Sequence, residues 1–128
     1  MLGVESLGLS YLRVAGQVNV LKRGSFYEPL MLLSYLAAIN EHIRIVPSIL
    51  VGPSRQTALL AKQSVELNAL SAGRLRLGLG LGGNEREYQA MGKPLSRRAD
   101  RLEEQIKLLR KLWARDHINF SLEEERFE

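Results

Sequence analysis

The chain has 128 residues, of which 45% are apolar, carries no cysteine, and has a formal charge of +4 at neutral pH. That length and composition support one modest core, so residues 1–128 are read as a single domain. The lack of cysteine excludes disulfides and thiolate metal sites. No metal site is expected either, because His42 and His117 are far apart in sequence and without ligand spacing.

Met1 to Gly8 has the apolar spacing of a helix tail, with Leu2, Val4 and Leu7, and Gly8 as its stop. It lacks the basic start and apolar run of a leader. No stretch approaches the ~20 apolar residues of a membrane helix. A cytoplasmic location with no membrane partner is therefore expected. Leu9 to Ala15 is a short strand, ended by Gly16, and Lys22 to Ser25 is loop. Glu28-Pro29 opens a helix that runs to about Glu41, with proline in the tolerated first turn. Ile43 to Val51, IRIVPSILV, is β-branched and nearly all apolar, as in a parallel strand buried on both faces. Pro47 cannot donate to a ladder, so this strand must bulge near its C-terminal end. Ser54 is the expected cap of a helix over Thr57–Leu70.

Leu67 to Glu85, LNALSAGRLRLGLGLGGNE, is the most informative stretch. Gly73 suits the left-handed position that stops a helix. Leu75, Leu77, Leu79 and Leu81 then share one face of a strand, with Arg76, Gly78 and Gly80 on the other. Glycine weakens a strand, so two at alternating positions signal a close approach on that face. Two readings stand side by side: glycines that make room for packing, and glycines that admit a cofactor. Gly78, Gly80 and Gly83 satisfy GxGxxG literally, but that fingerprint belongs in a turn that opens a helix, and here it lies inside the strand. A Rossmann site is not expected.

Glu85 to Met91 is one or two helical turns, broken at Gly92-Lys93-Pro94. Ser96 caps an amphipathic helix to about Trp113, with Ala99, Leu102, Ile106, Leu109 and Trp113 as its apolar side and Trp113 in the core. Acids and bases alternate along it, the pattern of a solvated face, so no nucleic-acid partner is expected. The basic excess leans towards a phosphate-bearing ligand. Ile118 to Leu122 and the residues to Glu128 read as a small hairpin. The order β, α, β, α, β, short helix, long helix, hairpin implies parallel strands with right-handed crossovers and exposed edges at both ends.

From Arg44 to Trp113 three segments, IRIVPSILVGPSRQTALLAKQ, LNALSAGRLRLGLGLGGNEREYQAMG and SRRADRLEEQIKLLRKLW, resemble the luciferase-like monooxygenase family. The resemblance implies a partial (β/α)8 TIM-barrel, roughly strands two to four with their helices plus the C-terminal hairpin. It also implies a reduced flavin, FMN or a deazaflavin coenzyme, at the C-terminal ends of the strands, and an oxidoreductase acting on a small molecule. By the same resemblance, Ser48-Ile49 is a non-proline cis peptide behind the cofactor ring, and Asn84 contacts the cofactor near its ribityl chain or phosphate. Ser48, Ile49, Gly80, Gly82 and Asn84 are thus the cofactor-binding candidates, with no catalytic residue assigned. Arg98 and Glu104 match an ion pair at the base of the last helix. Where members carry an Asp-His or similar polar pair this chain has Gly16-Gln17, and Asn68 replaces an aspartate. Neither Gly16 nor Gln17 is an acid or base at neutral pH. The alternative expectation is a non-catalytic truncated paralogue, without cofactor, that self-associates as a half-barrel. Either way the partner is a second copy or a complementary half-barrel.

Overall fold

A computed structural model describes residues 8, 10–15 and 27–114. The elements are β1 (Tyr11–Val14), α1 (Pro29–Ile39), β2 (Arg44–Pro47), β3 (Leu50–Val51), a 3-10 turn (Gly52–Ser54), α2 (Thr57–Leu70), β4 (Leu79–Gly80), α3 (Glu85–Ala90) and α4 (Arg98–Trp113). The expected N-terminal helix tail, Gly16-Gln17, the 22–25 loop, His117 and the C-terminal hairpin lie outside the described residues.

All strand pairing among the described residues is parallel. β1 runs beside β2, with Tyr11 opposite Arg44 and Val14 opposite Pro47. β3 runs beside β4, with Leu50 opposite Leu79, and an isolated Ile45–Leu75 bridge joins the two pairs. The result is one open sheet of three rows, each reached through a helical crossover. Among the described residues it does not close into a barrel.

The expected continuous strand from Ile43 to Val51 is instead two pieces, and the register explains the break. Between the Ile45–Leu75 and Leu50–Leu79 pairs the central row advances five residues while its neighbour advances four. One extra residue on one strand is a bulge. Before it, the amide of Ile45 donates to Arg74 O; after it, the amide of Leu50 donates to Gly78 O at 2.7 Å. Pro47, next in the same alternation, has no amide to offer, and the chain shifts register just beyond it. Pro47 itself stays paired to β1. The bulge falls at Ser48-Ile49, whose peptide is cis. Burial differs along this row: Ile43, Ile45 and Pro47 are buried while Arg44, Ser48 and Ile49 are exposed, and beyond the bulge Leu50 and Val51 are both buried.

The core lies between this sheet and the helices, around Leu33, Ile45, Leu50, Leu60 and Leu109. α1 contributes Leu30, Leu33, Leu36 and Ala37, and Glu28 caps it by accepting from the Met31 amide at 2.8 Å. α2 is capped by Gln56 and not by Ser54. Ser54 is committed to the preceding 3-10 turn, where its hydroxyl donates to Val51 O. α4 begins at Arg98 behind a left-handed Arg97, so Ser96 is not its cap either. Its buried residues are Gln105, Leu108 and Leu109, whereas Ala99 is exposed. Trp113, expected in the core, is 39% exposed at the helix end. Arg98 and Glu104 do not form the expected pair. Six residues apart, they project from different sides of the helix, and Arg98 donates to the carbonyls of Gly82 and Leu95.

Candidate functional site

In a parallel α/β sheet the loops beyond the strand C-termini carry the ligand sites. Here that end is built by Ser48-Ile49 beyond β2, by the 3-10 turn beyond β3, and by Leu81 to Asn84 beyond β4. All five sequence candidates fall there: Ser48 and Ile49 in the bulge, Gly80 at the last position of β4, Gly82 two residues on, and Asn84 at the start of α3.

The glycines of β4 meet the bulge one by one. A methyl group at Gly78 would stand 2.7 Å from the carbonyl oxygen of Pro47. At Gly80 it would overlap Ile49 Cδ1 and lie 3.0 Å from Cγ1 and 3.3 Å from Cβ. At Gly82, where φ is +62°, it would lie 2.9 Å from both Val51 methyls. The close approach signalled by the sequence is therefore made, on this face, by the neighbouring row of the sheet. Ile49 itself is 45% exposed, so its other side forms surface at the strand ends. Gly83 and Asn84 are exposed as well, and nothing lies within 4 Å of the methyl position at Gly83.

The loop beyond β4 is held from behind by two side chains that sequence reasoning does not single out for this purpose. The Tyr88 hydroxyl donates to Leu81 O, and Arg98 Nε donates to Gly82 O at 3.1 Å. Tyr88 is buried, and burial pushes its phenol pKa up, opposed by the nearby Arg101 and Arg98 guanidiniums. Asn84 also has a structural role, because its Oδ1 accepts from the Arg86 amide at 3.1 Å and caps α3. The turn beyond β3 is fixed similarly. The Gln105 amide, buried in α4, donates to Gly52 O at 3.0 Å and to Arg55 O and Thr57 Oγ1 at 3.3 Å. Arg55 pairs with Glu28 at 2.7 Å and so ties this turn to the start of α1. An aromatic residue in the short helix after a glycine loop was the available signal for Tyr88. For Gln105, a polar residue among the apolar positions of α4, the signal was weak.

Among the described residues no histidine and carboxylate set is grouped to hold a metal, and no helix is long and apolar enough to cross a membrane. Asn68 is exposed on α2, away from the strand C-termini. A cleft of about 730 Å³ opens at the other end of α2, between Ser64, Val65, Asn68, the segment from Leu75 to Leu79, and Ile106, Arg110 and Trp113 of α4. It runs beside the β4 row, one of the two edge rows among the described residues.

The described residues at the strand ends thus offer a shaped wall of exposed backbone and one apolar side chain, which can position a flat ligand.

Residues 2–127 match the family described as luciferase-like monooxygenase. The FMNH(2)-dependent dimethylsulfone monooxygenase of Pseudomonas fluorescens is 33% identical over 96 residues, which are 73% of this chain and 26% of that protein. The crystal structure of monooxygenase RslO1 from Streptomyces bottropensis superposes with a TM-score of 0.79 at 23% identity, over 88% of this chain and 34% of that one. The oxygenating constituent of 3,6-diketocamphane monooxygenase from Pseudomonas putida, a type II Baeyer-Villiger monooxygenase in complex with FMN, gives 0.78 at 20% identity, over 88% and 32%. The chain spans about a third of the length of the curated relatives it matches.

Proposed function

This chain belongs to the luciferase-like monooxygenase family and has the fold of part of its barrel, and from that premise we propose that it supplies one wall of a flavin site. The observation that carries the reading is the convergence of Ser48, Ile49, Gly82, Gly83 and Asn84 at the strand C-termini, beside a loop pinned by Tyr88 and Arg98. These residues suit a flat, largely apolar ring with a polar tail: Ile49 presents a hydrocarbon surface, and Gly83 leaves open space. FMN is favoured over a deazaflavin because one relative is named as FMNH(2)-dependent and one neighbour holds FMN. Reduced flavin would supply the electrons for oxygen insertion into a small-molecule substrate, and this chain would supply position. The opposite wall would come from further strands, in the same polypeptide or in a partner.

A second reading, a self-associating partial barrel without catalysis, is favoured by one feature. Met31 and Tyr35 are strongly exposed one turn apart on the outer side of α1, and exposed Tyr27 lies just before the helix cap. Native mass spectrometry of the purified chain separates the two. The flavin reading expects a mass increment for bound FMN, and the second expects a flavin-free dimer or larger assembly.

A further inference from the structure

We infer that Gly80 is a positioning residue for Ile49: its bare α-carbon seats the isoleucine side chain flat against β4, and this sets the height of the ledge that a flavin ring would rest on. The inference depends on the proposed flavin site for its functional meaning, and on geometry alone for its structural part.

The fit between the two residues is too close to be incidental. A methyl at Gly80 would overlap the end of the Ile49 side chain, and turning that end away would not suffice, since Cγ1 and Cβ would still stand at 3.0 and 3.3 Å. Because isoleucine branches at Cβ, its χ1 has few alternatives. With that end turned away, the rest of the side chain would still have to give by a few tenths of an ångström towards its exposed side. On either side the same row meets the neighbouring glycines, Pro47 O at Gly78 and the Val51 methyls at Gly82. The displaced atoms would go into the space beyond the strand ends, since Ile49 is exposed on its far side. Alanine at 80 therefore acts as a spacer that raises the ledge, while most of the core, lying on the opposite face of the sheet, is left alone.

The test uses the full 128-residue chain in four forms: wild type, Gly80→Ala, Ile49→Ala and Gly80→Ala with Ile49→Ala. Two readouts are followed, FMN affinity by quenching of flavin fluorescence, and thermal unfolding without flavin. Gly80→Ala should weaken FMN binding by about tenfold, as a misfit of one methyl does in a packed site. In the Ile49→Ala background, where the ledge is already cut back, Gly80→Ala should cost little further FMN affinity, and the two substitutions should be non-additive in Tm. Equal FMN affinity for wild type and Gly80→Ala, or additive Tm changes, would overturn the inference. Wild-type chain that does not titrate FMN while the Tm coupling persists would remove the flavin reading and with it the ledge's role, and would leave only the packing between 49 and 80. Should Gly80→Ala alone fail to fold, folding should return in the double variant with Ile49→Ala, and a double variant that also fails to fold would overturn the inference.

Discussion

Two single residues carry most of the account of the strand ends. Gly78 faces a backbone atom and not a side chain, so the neighbour cannot rotate away. Gly78→Ala should cost about 1–3 kcal/mol of stability, seen as a lower denaturant midpoint at unchanged slope. Tyr88 behaves differently because its effect depends on pH. Its phenol is buried and hydrogen-bonded to Leu81 O, and burial raises its pKa above the usual 10. A raised folded-state pKa means that the contribution is fully present below pH about 10 and is lost as pH rises through the folded value. Tyr88→Phe should thus destabilise the chain by about 1–3 kcal/mol near neutrality, by leaving the Leu81 carbonyl unpaired. It should also flatten the alkaline loss of stability, which unfolding curves from pH 8 to 11 measure directly.

At the scale of elements, the helices and the order of the strands were readable in sequence, but the junctions and strand extents were not: the strand expected over Arg74–Leu81 pairs only at Leu75 and over Leu79–Gly80. The order of elements, the proline-led α1, the glycine stop after α2 and a bulge near Pro47 all follow from local chemistry. Ser54 and Ser96 illustrate the failure. Each is a good capping residue by type, yet a tertiary contact recruits the chain differently: a 3-10 turn braced by Gln105 in one case, and a left-handed Arg97 in the other. The glycines of β4 were legible as a close approach, but whether packing or cofactor makes it depends on the partner strand, which periodicity does not identify. Arg74 is the clearest tie between elements. It donates to Ala37 O, Asn40 Oδ1, Ile43 O and Ser71 O, and so locks the end of α1 to the turn after α2. A lysine is a point charge and cannot span those acceptors. Arg74→Lys should cost about 1–3 kcal/mol in denaturant unfolding.

For the whole molecule, the family rests on the match over residues 2–127, and the partial barrel on the superposition with two solved monooxygenases. The sequence made this much readable because helix, Ser-x-Gly-Arg turn, glycine strand and Asn-Glu cap come in fixed order. The site is less readable, because only one wall of it lies in this stretch and Ser48, Gly82 and Asn84 each serve the local backbone as well. The exposed Met31 and Tyr35 of α1, with Tyr27 just before it, give the second reading its own prediction: Met31→Glu should shift any dimer towards monomer in sedimentation and leave FMN affinity unchanged. The central claim, that the strand C-termini form a flavin wall, is tested most directly by equilibrium titration of the 128-residue chain with FMN, followed by flavin fluorescence. The account predicts saturable binding at micromolar concentrations that is weakened when a charge replaces the apolar ledge in Ile49→Asp. Fluorescence that stays proportional to added FMN into the millimolar range, or an Ile49→Asp curve superimposable on the wild type, would contradict it.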